Sequence, residues 1–193
     1  MDDGMTGITQ PTTVPHRRAS IFAIGLLALG VLGLLWAGIQ EARRTQPVPT
    51  ERAAAPPFHF QKFGGGQFDS EALRGRVVML DFWATWCGPC VAEMPTLVKL
   101  AQEYESKGVV FVAANRDDER VAKVEVGLFV DRRVPALAQY VAFADDQTAD
   151  GYAVSAIPTM FLIDRQGRIH GSYLGAASER TWRARLDEAL RAN

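Results

Sequence analysis

Residues 77–90 read Val77-Val78-Met79-Leu80-Asp81-Phe82-Trp83-Ala84-Thr85-Trp86-Cys87-Gly88-Pro89-Cys90. The first seven positions are apolar on both alternating sets, interrupted by one acid, which is the pattern of a β-strand covered on both faces. A strand is therefore expected over 77–83, at the centre of a sheet. Residues 90–107 then place Val91, Met94, Leu97, Val98, Ala101 and Tyr104 at helical spacing, and Gly108 closes the run. The two cysteines stand at the turn between a buried strand and a helix.

Working outward, 58–68 alternates around Gly64-Gly65-Gly66 and predicts a hairpin, after which Asp69 or Ser70 caps a short helix over 70–74. Val109-Val110-Phe111-Val112-Ala113 predicts a second buried strand. A helix is expected over 117–130, with Asp117 and Asp118 near its positive end. A short strand (141–144), a short helix (147–153) and a strand (160–163) follow. A turn over 164–167 then leads into 168–174, and Ser178 caps a last helix carrying Trp182, Leu186, Ala189 and Leu190 on one face. Strands alternating with helices and ending on a hairpin predict a three-layer α/β fold with a mixed central sheet, an N-terminal hairpin extension and an inserted helix.

The 193 residues are 48% apolar, enough for one domain core. A net charge of −1, with both signs spread along the chain, leaves no footprint for nucleic acid. Two cysteines three apart cannot staple distant segments, and they fall short of a four-cysteine zinc site; a mixed site would need His59 or His170 to converge on them. No cofactor and no metal are expected.

Ahead of the domain, residues 1–19 are polar, with Pro11 and Pro15, and predict a disordered tail. Residues 20–40 predict a transmembrane anchor. Its core, 21–39, contains only Ile, Leu, Val, Phe, Trp, Ala and Gly, and as a helix at ~1.5 Å per residue it is about 28 Å long, close to a bilayer's hydrocarbon thickness. The rival reading is a cleaved signal peptide, which calls for a shorter apolar core and a small-x-small site. Arg17 and Arg18 on one flank face Arg43, Arg44 and Arg52 on the other, so charge does not set the orientation. Residues 41–57, with Pro47, Pro49, Pro56 and Pro57, predict an extended linker to the domain at 58–193.

A disulfide-exchange enzyme needs one reactive thiolate and a second thiol within reach to resolve the mixed disulfide. Cys87 is expected at a helix N-terminus, where free backbone N–H groups favour a negative sulfur, with Cys90 shielded one turn in. Pro89 suits the first helical turn and Gly88 leaves the backbone open to a protein substrate. Asp81 has two readings: a buried acid of raised pKa that takes the proton from Cys90, or a strand-end acid reaching solvent. Glu93 likewise either tunes that transfer or serves only the helix dipole. Pro95 predicts a kink in the helix.

Asp81-Phe82-Trp83-Ala84, Trp86-Cys87-Gly88-Pro89-Cys90, Pro95 and Ile157-Pro158-Thr159 together resemble the thioredoxin superfamily over 58–193. The apolar anchor, Cys90-Val91-Ala92-Glu93-Met94-Pro95, the inserted helix and the turn from Ile163 to Ile169 are similar to its TlpA and ResA branch of extracytoplasmic bacterial thioredoxins. The resemblance implies that Cys87 is the nucleophile, Cys90 the resolving thiol, Pro158 a cis proline beside them and Glu93 the branch's active-site acid. Asp81 departs from that branch, where an amide is common, and its proton-relay role is implied by the wider superfamily.

The activity so implied is reduction of protein disulfides by dithiol exchange, with the domain outside the cytoplasmic membrane. Electrons would come from a membrane donor of the thiol-reductase type, and the clients would be apocytochrome c or copper-site assembly proteins. Two other readings stay open: a disulfide oxidase or isomerase, and a membrane-anchored adaptor whose cysteines are idle.

Overall fold

The computed structural model describes residues 27, 29–36 and 49–192. The chain divides into two units, 1–44 and 45–193. In the first, residues 27 and 29–36 are helical, and Leu29, Leu32, Leu35 and Trp36 are exposed. Among the described residues no helix is long and apolar enough to cross a membrane. The expected tail, most of the expected span over 20–40 and residues 41–48 of the expected linker lie outside the described residues.

The second unit opens with an antiparallel hairpin, His59–Lys62 (β1) and Gln67–Asp69 (β2). Val77–Trp83 (β3) follows and is buried at every position. It pairs in parallel with Val109–Asn115 (β4) and antiparallel with Thr159–Ile163 (β6), so neither edge reaches solvent. Val141–Phe143 (β5) and Ile169–Leu174 (β7) complete a seven-stranded mixed sheet in the order β2-β1-β5-β4-β3-β6-β7. The α/β class and the central place of β3 are as the apolar runs predict.

Alternation along β3 divides the core into two layers. Val77, Met79 and Trp83 pack with Gly88–Glu105 (α1), Ala122–Arg132 (α2) and Glu179–Arg191 (α4), through Met94, Leu97, Val126, Phe129, Trp182 and Leu186. Val78, Leu80 and Phe82 face the other layer, with Phe58, Phe60, Phe161 and Tyr152, which follows the short helix Asp146–Gly151 (α3). Helices thus lie against both faces of the sheet, giving the three layers.

Three local expectations differ. Residues 70–75 form turns and not a helix, because Ser70 turns its hydroxyl back to accept from the Phe58 N–H (3.1 Å). The helix expected from Asp117 begins at Ala122 instead: Asp117 is occupied by Thr85 and Asn115, and Asp118 by Arg120. Finally, part of the stretch read as linker belongs to the folded unit, since Arg52 and Ala55 donate to Ile169 and Gly167, and Ile169 donates to Ala53. Pro95 stands inside a helix that continues to Glu105.

Candidate active site

The site is built at the end of β3, where the sheet stops and α1 begins. Trp83 ends the strand and its carbonyl accepts from the Arg116 N–H at the end of β4 (2.8 Å). The connecting loop is clamped from β4. The Asp117 carboxylate accepts from the Thr85 N–H (3.2 Å), the Thr85 hydroxyl (3.1 Å) and the Asn115 amide (2.9 Å). The Asn115 side chain in turn accepts from the Asp117 N–H (3.1 Å). Two residues after Thr85 the chain reaches Cys87, so the clamp fixes the approach of Cys87 to the helix.

Cys87 is the N-cap of α1 and is joined to Cys90 in a disulfide, with the two Cα atoms 5.3 Å apart. The Cys87 sulfur accepts from the Cys90 N–H (3.3 Å), one of the donors a helix start leaves free. After reduction, that N–H and the helix dipole favour a thiolate at Cys87. Cys87 is 5% exposed and Cys90 1%, so Cys90 is more shielded than Cys87. Around it the surface is accessible: Trp86 is 70% exposed, and a Cβ added to Gly88 would meet nothing within 4 Å.

Asp81 is 1% exposed, and neither carboxyl oxygen has a hydrogen-bond partner among the described residues. By the strand's alternation it faces the layer that holds Cys87 and Cys90. An unpaired carboxylate in such a place costs several kcal/mol, more than a proton costs to hold near neutrality, so the group shifts its pKa. Burial pushes Asp81 well above the usual carboxylate range, and the negative Glu93 pushes it further. The reading as a strand-end acid reaching solvent is overturned.

Glu93 is also buried, but unlike Asp81 it has hydrogen-bond partners. One oxygen accepts from the Ala177 N–H (2.7 Å) and from the indole N–H of Trp182, which ties α1 to the start of α4. It lies beyond the first helical turn, so the dipole reading does not hold for it. The Ile157–Pro158 bond is cis, and Pro158 precedes Thr159, which pairs with Phe82 of β3. That register brings Pro158 to the same end of the sheet as Trp83 and the cysteine loop.

Sequence reasoning passed over Thr85, Asn115 and Asp117 as a unit. It also passed over Trp182 as the partner of Glu93, and over Phe129, whose ring packs on Trp83 at 5.3 Å. The one legible signal was Asp117, an acid just past the end of a buried strand, and it was read as a helix start.

Comparison with known proteins agrees with this geometry. The family model described as Redoxin matches residues 50–190. The thiol-disulfide oxidoreductase ResA of Bacillus subtilis (strain 168) is 29% identical over 164 residues, covering 84% of this chain and 86% of its own. ResA of Geobacillus thermodenitrificans is 31% identical over 135 residues, covering 70% and 75%. A putative thiol:disulfide interchange protein DsbE from Chlorobium tepidum superposes with a TM-score of 0.66 at 32% identity, over 74% of this chain and 99% of that one. With its cysteine pair at the start of a helix that follows a buried central strand, this chain belongs to the Redoxin family, on the ResA-like side of the thioredoxin superfamily, and is a thiol–disulfide oxidoreductase.

Proposed function

We infer that the chain reduces disulfides of client proteins outside the cytoplasmic membrane, held there by residues 21–39. The observation that carries the reading is the Cys87–Cys90 pair at the N-terminus of α1, on the face of the sheet that also holds the buried Asp81, whose carboxyl has no hydrogen-bond partner among the described residues. The Cys87 thiolate attacks one sulfur of the client disulfide, and the other client sulfur leaves as a thiolate. Asp81, in its ionised fraction, takes the proton of Cys90, which then attacks the Cys87 sulfur. The Cys87–Cys90 disulfide re-forms and the client's second thiolate departs, so two electrons have moved from the protein to the client. Burial and then the charge of Glu93 hold the Asp81 pKa well above the ordinary carboxylate value, which makes it a stronger proton acceptor than a free carboxylate.

A reductant must be recharged, which calls for a membrane donor of the thiol-reductase type. Helical, exposed, apolar residues at 29–36 support the anchor. Among clients we favour apocytochrome c and copper-site assembly proteins, whose cysteines must be kept reduced for haem or metal. The Gly-Pro pair between the cysteines, shared with thioredoxin, supports a reducing couple. Equilibrium titration of the Cys87–Cys90 disulfide is the test. A two-electron midpoint below about −250 mV is expected, and one above about −180 mV would make the chain an oxidase or isomerase instead.

A further inference from the structure

Beside the cysteines lies a groove of 590 Å³ between α1 and the inserted helix α2. It starts at Gly88, between the two cysteines, and runs past Val91 and Pro95 on one wall. The other wall is Phe129 and Val134, so the floor is apolar. Arg132 and Arg133, at the end of α2, complete the lining. Both are exposed, and among the described residues neither guanidinium has an ion pair or a side-chain hydrogen bond. Among the described residues no acid lines the groove. Pro95 has no N–H to give to the carbonyl of Val91, so a backbone acceptor on this wall lacks its usual helical donor.

Resting on the reading of Cys87 and Cys90 as the exchange site, we propose that this groove receives an extended client segment with acidic side chains close to its reacting cysteine. The volume falls within the ~300–1,000 Å³ of ligand clefts, and its opening at Gly88 makes it continuous with the point of attack. From Gly88 to Pro95 the helix advances ~10 Å, a distance three residues of extended chain cover. The acids therefore belong within about three residues of the client cysteine, opposite Arg132 and Arg133. The apolar floor takes the intervening side chains, and the two unpaired cations set which clients are accepted. The inserted helix is, on this account, the part of the fold that chooses substrate.

The test uses the reduced full-length protein and two synthetic peptides, each with one cysteine in a mixed disulfide with 2-mercaptoethanol. One has Glu at the second and third residues on both sides of the cysteine, and the other has Gln. Every rate is taken relative to that with 4,4′-dithiodipyridine, a small neutral disulfide that reports the state of the thiols. The Glu peptide is expected to react about tenfold faster at low salt, and the Arg132→Glu/Arg133→Glu variant to reverse the order. Equal rates for the two peptides, or a preference that survives the double reversal, would overturn the proposal while leaving the exchange site intact. Should light scattering show a dimer that only the double variant dissociates, the groove belongs to a second copy, and the proposal fails. If dithiodipyridine itself does not react, the exchange reading falls and this one with it.

Discussion

Asp81 is the residue on which chemistry and stability make opposite demands. Its carboxyl is buried with no hydrogen-bond partner among the described residues, and burial followed by the charge of Glu93 raises its pKa well above the ordinary value. In the unfolded chain it ionises at about pH 4. Folding between that pH and the raised folded pKa must therefore take up a proton, and stability falls as pH rises through this window, levelling off above the folded pKa. Asp81→Asn removes the titration. The variant is expected to match the native protein near pH 3 and to become progressively more stable than it as pH is raised. Denaturation midpoints measured across that range check this, and a gap that does not vary with pH would refute it. The same variant lacks the base for Cys90, so release of a client from its mixed disulfide with Cys87 is expected to slow about 100-fold.

At the scale of elements, Glu93 joins two helices that the chain makes far apart. Its carboxylate holds the Ala177 N–H and the buried Trp182 indole N–H, so α1 and α4 are pinned at the end nearest the cysteines. Glu93→Ala leaves both donors without that acceptor and is expected to cost about 2–3 kcal/mol in urea denaturation. Glu93→Gln keeps an acceptor oxygen and is expected to cost less than about 1 kcal/mol. Equal losses in the two variants would show that charge, and not the hydrogen bonds, carries the role. This tie was not legible in the sequence, because its partners are 89 residues apart and nothing local marks Trp182 as one of them. The strands were legible, since a run such as Val77–Trp83 is explained only by burial on both faces. The start of α2 was not, because Asp117 has two possible uses, capping a helix or clamping Thr85, and only the fold's long-range register selects the second. The cysteine pair was legible because its whole chemistry sits within one turn of chain, whereas the groove beside it needs two helices brought together.

For the whole molecule, the redox potential and the folding free energy are one quantity measured twice. Closing the cycle of folding and oxidation, each ~30 mV by which the folded pair lies below the same pair in the unfolded chain makes the oxidised protein about 1.4 kcal/mol more stable than the reduced one. Two opposing effects set the sign. The helix N-terminus and the Cys90 N–H favour a thiolate at Cys87, worth about 0.3–1 kcal/mol, and so favour the reduced form. Against this, the fold already holds the two Cα atoms 5.3 Å apart, within the range a disulfide requires, whereas the unfolded chain must give up about 2 kcal/mol of loop entropy to close the same bond. That preorganisation exceeds the dipole's contribution. The oxidised protein is therefore expected to melt about 3–6 °C above the reduced one. Circular dichroism melts with and without dithiothreitol measure the difference directly. A reduced form more stable than the oxidised form would mean that the helix terminus dominates and the pair is oxidising, and the reductase reading would fail at the level of the whole fold.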